Sequence, residues 1–172
     1  MNKQDFKLNV FSLSERIYPM VSRILGGNLN AEDAIQDIML KLWEKRKKIE
    51  NHPNIKGLVF LTARNYCIDL LRKRPLLVDD SSSYLKAVKS SSTENSDLEW
   101  QELNKIIDEI LKKLPEQQKE VFMMRDVDGY EFTEIAAALK IKIEHVRVLA
   151  SRARKVIGNE LEKTYHYERG QY

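Results

Sequence analysis

The sequence predicts an all-α protein: two small helical domains joined by a flexible linker, the second containing a helix-turn-helix. Three observations predict it. Only six Gly and four Pro occur in 172 residues, too few turn formers for a β-sandwich. Apolar residues recur at helical spacing in both halves of the chain. Between the halves lies a serine-rich acidic stretch with little to bury. The expected division is a domain at 1–75, a linker at 76–97 and a second domain at 98–172.

Each element has its own signal. A first helix is expected over Phe11–Leu25, ended by Gly26 and Gly27. In the next, Ile35, Ile38, Met39, Leu42 and Trp43 fall on one helical face. Asn30 is the expected N-cap there, Glu32 and Asp33 suit the first turn, and Lys45–Lys48 suit the far end. A third helix is expected from Pro53 to Arg74, closed by Pro75. Seven serines and four acids fill 76–97, a composition that tethers rather than packs. Beyond it, Leu103, Ile106, Ile107, Ile110, Leu111 and Leu114 form a regular stripe, and Pro115 opens a further helix with Val121, Phe122 and Met124.

After a turn signal at Asp128-Gly129 comes the most informative stretch. Thr133 is the expected cap of a short helix to Leu139, whose Ala136, Ala137 and Ala138 permit close helix contact. A tight turn at Lys140-Ile141-Lys142 leads to a longer helix, about Ile143–Leu161. Lys140 stands where Gly would relieve a left-handed backbone, and Lys142 where a Ser or Asn cap is usual. Short helix, turn and basic helix make a helix-turn-helix, whose second helix fits the major groove. Its first turns would aim Glu144, His145, Arg147 and Val148 at base edges. Arg152, Arg154 and Lys155 are placed for phosphates.

The net charge of +3 conceals a segregated distribution. Residues 51–75 carry five basic residues against one acid, and 76–111 carry three against eight. Arg64, Arg72, Lys73 and Arg74 form one basic cluster, and Lys140, Lys142, Arg147, Arg152, Arg154 and Lys155 another. Such clusters fit a polyanion, although a solvated helix face is the ordinary explanation of any one of them.

Three runs, in this order and spacing, resemble bacterial RNA polymerase sigma factors of the two-domain, extracytoplasmic-function group. Asn30–Ile38 with Leu42-Trp43 is similar to their core-polymerase-binding helix. Phe60–Arg72 is similar to their promoter-melting helix. Leu114-Pro115-Glu116 with Val121-Phe122, then Glu134-Ile135-Ala136 and Ser151–Arg154, resembles their minus-thirty-five domain. The resemblance implies core-polymerase binding at Asp33, Gln36 and Asp37. It implies minus-ten recognition and melting at Asn51, His52, Asn54, Arg64, Asn65, Asp69, Arg72 and Lys73, and adds Ser151 to the minus-thirty-five set. Tyr66 and Phe60 offer either a stacking surface for bases or ordinary core packing. The Arg64, Asn65 and Asp69 group is alternatively a surface ion pair and cap network. The implied partners are core polymerase, promoter DNA and an anti-sigma protein.

The linker is compatible with that role. Its 22 residues span at most ~73 Å extended and about 26 Å on average when flexible, against about 70 Å for two DNA turns. Domains so tethered reach separated elements only when a partner holds them apart. The rival is a helix-turn-helix regulator that acts without polymerase. An enzyme fits less well, since no Gly-rich phosphate loop, nucleophile motif or His–Glu metal set is present in the sequence. No cofactor, metal or small-molecule substrate is expected. No stretch of the sequence reaches bilayer length and Met1–Val10 lacks signal-peptide character, so a cytoplasmic location is expected.

Overall fold

The structure, a computed structural model, describes residues 1–73 and 98–169. The expected linker, together with Arg74 and Pro75, lies outside the described residues. Every regular element among the described residues is helical: α1 (Lys3–Asn9), a 3₁₀ turn (Phe11–Leu13), α2 (Ser14–Leu25), α3 (Asn28–Glu44), α4 (Arg46–Ile49), α5 (Ile55–Lys73), α6 (Leu98–Lys113), α7 (Glu116–Phe122), a π-turn (Met123–Val127), α8 (Phe132–Leu139) and α9 (Ile143–Arg169).

Helix ends account for most departures from the sequence expectations. Gly26 closes α2 in the left-handed conformation (φ 73°), as a glycine there should. The helix expected over Phe11–Leu25 is divided, because α1 and the 3₁₀ turn precede α2. Phe6 of α1 meets Trp43 edge-to-face at 5.0 Å, which pins the N-terminal segment to α3. Asn30 is not the cap of α3; the helix begins earlier, and the Ala31 amide donates to the Gly27 carbonyl. Asn54 caps α5 by accepting the Gly57 amide at 2.7 Å. Thr133 lies inside α8, and the cap is Glu131, which forms a reciprocal capping box with Glu134. The last helix runs past the expected end at Leu161 to Arg169.

Helices α2, α3 and α5 pack on one another, as do α6, α7 and α8 on α9. Ile38, Leu42, Val59, Phe60, Ala63 and Cys67 are buried in the first group. Ile110, Leu111, Leu114, Met123, Ala153 and Ile157 form a separate core beneath α6. The main core ignores the division of the sequence. It runs from α2, α3 and α5 into Tyr130, Ile135, Ala138, Val146 and Leu149 of the second domain.

The two domains meet where α5 crosses α8. A Cβ on Gly57 would lie 2.7 Å from the Ala137 Cβ, so glycine is what lets the helices approach. Phe60 meets the fully buried Tyr130 edge-to-face at 5.0 Å, and the Tyr130 hydroxyl accepts the Met20 amide at 3.1 Å. Around this seam Arg16 forms two hydrogen bonds to Glu134, at 3.2 and 2.9 Å, and Lys56 joins the same carboxylate at 2.8 Å. Arg23 clasps Asp128 (2.7 Å), with both side chains under a tenth exposed. Each large apolar side chain buried here contributes about 1.5–3 kcal/mol, whereas a buried ion pair nearly cancels against its desolvation. The apolar seam therefore supplies the affinity of docking, and the ion pairs set its register.

Cys67 is fully buried on the inner face of α5. Burial pushes its thiol up to about 12, so almost no thiolate exists at neutral pH. The native protein should resist alkylation at pH 8 and react promptly once denatured. Rapid labelling of the native state would contradict this packing.

Candidate nucleic-acid interface

Three groups of residues singled out by the sequence occupy three places. Asp33, Gln36 and Asp37 are exposed on α3, while Ala34 and Ile38 face inward. Leu40 continues their stripe and is 56% exposed, although sequence reading passed over it. The signal was available: Leu40 stands seven residues after Asp33 on an otherwise polar face. Asp37 also accepts the Tyr66 hydroxyl at 2.5 Å, and the Lys41 ammonium sits 4.3 Å from the Tyr66 ring centre. Burial, reinforced by that bond to Asp37, pushes the Tyr66 hydroxyl up to about 12. Tyr66 is thus engaged on both its ring and its hydroxyl. Phe60 is entirely buried against Tyr130 and offers no surface for a base, so core packing is its role here.

Asn51, His52 and Asn54 form the exposed turn before α5. His52 Nδ1 accepts the Asn54 amide at 3.1 Å, so the turn is internally braced while Asn54 caps the helix. Asn65, Asp69, Arg72 and Lys73 are exposed along α5, with Asn65, Asp69 and Arg72 on one stripe. Arg64 differs. It points at the second domain and forms a two-pronged pair with Glu120 of α7, at 2.6 and 2.9 Å. That replaces the surface pairing with Asp69 considered from sequence.

The helix-turn-helix consists of α8, a three-residue turn and α9. Lys140 adopts the left-handed conformation (φ 55°), the backbone state its position in the turn demands. Val146, Leu149, Ala150 and Ala153 anchor α9 in the cores. The opposite face leaves Glu144, His145, Arg147, Val148, Ser151, Arg152 and Lys155 exposed together. Arg154 is exposed too, but it forms two-pronged contacts with Asp126 of the π-turn, at 2.7 and 3.2 Å. Its guanidinium is held above its ordinary value chiefly by that bond. Sequence reading grouped Arg154 with the phosphate contacts; the structure adds this brace between α9 and the segment after α7. Arg125 lies over the Phe132 ring at 4.6 Å, and Arg147 over the same ring at 5.9 Å. Phe132 thereby links a reader candidate to the body of the domain, a relation that spacing alone does not reveal.

An exposed, partly basic helix on a helix-turn-helix, joined to a helical domain whose α5 ends in the exposed Arg72 and Lys73, is the architecture of a DNA-binding protein of the transcription class. Comparison with known families is specific. The family model for Sigma-70 region 2 matches residues 12–75, and that for Sigma-70 region 4 matches residues 104–157. The chain is 27% identical over 132 residues to the ECF RNA polymerase sigma factor EcfG of Rhodopseudomonas palustris (strain TIE-1), covering 76% of this chain and 71% of that protein. It is 25% identical over 173 residues to the ECF RNA polymerase sigma-E factor of Escherichia coli (strain K12), covering 94% and 88%. Among solved structures it is similar in fold to the sigma factor RpoE in complex with the anti-sigma factor NepR from Bartonella quintana. There the TM-score is 0.53 at 22% identity, over 93% of this chain and 96% of that one. CnrH in complex with the cytosolic domain of CnrY gives 0.59 at 19% identity, over 94% and 90%.

The chain belongs to the extracytoplasmic-function group of RNA polymerase sigma factors. It is a transcription initiation factor that works with core RNA polymerase on promoter DNA.

A lysine in the left-handed region stores about 1 kcal/mol of backbone strain. Lys140→Gly should raise stability by roughly that amount, read from the denaturant midpoint. An unchanged or lowered midpoint would show that the turn is not strained.

Proposed function

We propose that the three groups of residues divide the work of initiation. Asp33, Gln36 and Asp37, with the apolar Leu40 beside them, form the contact with core polymerase. Asn51, His52, Asn54, Arg64, Asn65, Asp69, Arg72 and Lys73 engage the minus-ten element and hold the opened strand. Glu144, His145, Arg147, Val148, Ser151, Arg152 and Lys155 read or grip the minus-thirty-five element, and Arg154 steadies that helix through Asp126. The observation that carries the reading is the sorting of α9. Val146, Leu149, Ala150 and Ala153 are buried, while its polar and basic residues lie together in solvent with Val148 among them, the arrangement a major-groove helix requires.

The protein's role is binding and positioning rather than catalysis of a bond, and it acts where polymerase acts, in the cytoplasm. No helix among the described residues is long and apolar enough to cross a membrane, and no cluster of metal-ligating side chains occurs among them. Two solved relatives are held in complexes, one with the anti-sigma factor NepR and one with the cytosolic domain of CnrY. We infer an anti-sigma protein as partner for this chain also.

Reconstitution tests the reading. The purified protein should direct specific initiation by sigma-free bacterial core polymerase. Arg147→Ala should relax minus-thirty-five selectivity, at a cost of about 1–3 kcal/mol against the preferred sequence. Lys155→Ala should weaken binding evenly across sequences and flatten its salt dependence by about one charge. Equal effects of both substitutions on all sequences would overturn the assignment. Binding to duplex DNA that is as strong and specific without core as with it would instead favour a free-standing regulator.

A further inference from the structure

The N-terminal segment builds a surface that none of the initiation roles uses. Asn2 caps α1 by accepting the Asp5 amide at 2.8 Å, Phe6 is buried edge-to-face on Trp43, and Val10 is fully buried. Trp43 is held in turn by Arg46, whose guanidinium lies 4.2 Å from the ring centre and donates to the Trp43 carbonyl at 3.0 Å. Phe6, Phe11 and Trp43 wall a hollow of about 320 Å³ between α1 and the end of α3, and Lys3 and Lys7 complete its lining. The walls are already in place, so little ordering is needed to fill it.

The surface around the hollow is apolar and basic. Leu8, next to Lys7, is the most exposed large apolar side chain among the described residues at 66%, and Phe11 is 51% exposed. Lys3 and Lys7 stand one helical turn apart, both exposed, and neither has an ion pair among the described residues. Asp5, the acid of the same helix, is two positions from each lysine and so falls on the other side. A nucleic acid fits this hollow poorly. Bases need open ring faces on which to stack, whereas Phe6 is buried and Trp43 is already engaged by Phe6 and Arg46. The charge is also opposite to that of Asp33 and Asp37 on α3, so the two surfaces call for different chemistry in what binds them. Lys3, Phe6, Lys7 and Phe11 all precede the Sigma-70 region 2 match, which begins at residue 12.

We propose that this hollow is a docking groove for an amphipathic helix of a partner protein, one whose apolar face is flanked by acidic residues. The apolar face fills the space between Phe6, Phe11 and Trp43, and the flanking carboxylates pair with Lys3 and Lys7. The groove gives the first domain a second protein contact, separate from the acidic stripe assigned to core polymerase. It does not depend on the assignment of the promoter-contact residues.

The test titrates this chain into a fluorescently labelled synthetic peptide and reads anisotropy. The peptide carries leucines at i, i+3, i+4 and i+7 of a helix with glutamates on both flanks. It should bind saturably, with an affinity that falls as NaCl is raised. The same peptide with lysines in place of the glutamates should bind at least about tenfold more weakly. In the double variant Lys3→Glu and Lys7→Glu that preference should reverse, while initiation with core polymerase is unchanged. Phe11→Ser should lower affinity for the acidic peptide at least about fivefold. Lys3 and Lys7 are exposed, so the charge reversal carries the test even where Phe11→Ser costs stability.

No saturable binding, equal binding of the two peptides, or a preference that survives the lysine substitutions would each overturn the proposal. A single-stranded oligonucleotide bound as tightly as the acidic peptide, and lost with the same lysines, would assign the hollow to nucleic acid instead. Self-association abolished by Phe11→Ser would assign it to a second copy of the chain. Loss of core-polymerase binding in the double variant would merge the hollow with the core contact and defeat the separate partner.

Discussion

The structure depends on the approach of α5 to α8. Two helices come this near only where side chains are small, and the seam is made by Gly57 against Ala137. Once they are that close, Phe60 and Tyr130 interlock, Tyr130 reaches the Met20 amide, and Arg23 and Asp128 are enclosed together. Without the seam, the main core would divide at the boundary between the domains. With it, Val146 and Leu149 of α9 share a core with Ile38 and Val59 of the first domain. The docking of the domains and the anchoring of α9 are thus parts of one packing solution.

The forces at the seam divide between apolar burial and charge. Burial of apolar surface favours closure and is insensitive to salt. The ion pairs add little net stability, since desolvation offsets attraction. What they add is direction: a second domain rotated on α5 would leave buried charge unpaired, which is strongly unfavourable.

Much of this was legible in the sequence. The apolar stripes of α3 and α6, the Gly26 terminus, and the strained place of Lys140 all follow from local rules, and the structure bears them out. The alanines of α8 were read as permitting close helix contact, but the partner helix could not be named. Gly57 carries no signal as a single helical glycine; a Cβ there would meet both its own cap, Asn54, and Ala137 on the other domain, some eighty residues away. Residue type makes Thr133 and Asn30 the expected caps, whereas Glu131 and the chain around Gly27 begin those helices. Capping depends on where the backbone enters, which tertiary packing decides. The candidate site residues on α3 and α5 rest on the family resemblance and those on α9 on the helix-turn-helix pattern; the structure shows all but Arg64 of them exposed. The ties of Arg64 to Glu120 and of Arg154 to Asp126 were not legible, because such pairings are invisible to spacing.

The central claim is that the approach of α5 to α8 makes one packing unit of the two domains. The most direct measurement is denaturant unfolding of the native chain and of Ala137→Leu, followed separately at labels on α4 and on the outer face of α9. The native protein should give one coincident transition at both labels, and the variant two separate ones. Two separate transitions in the native protein would contradict the account.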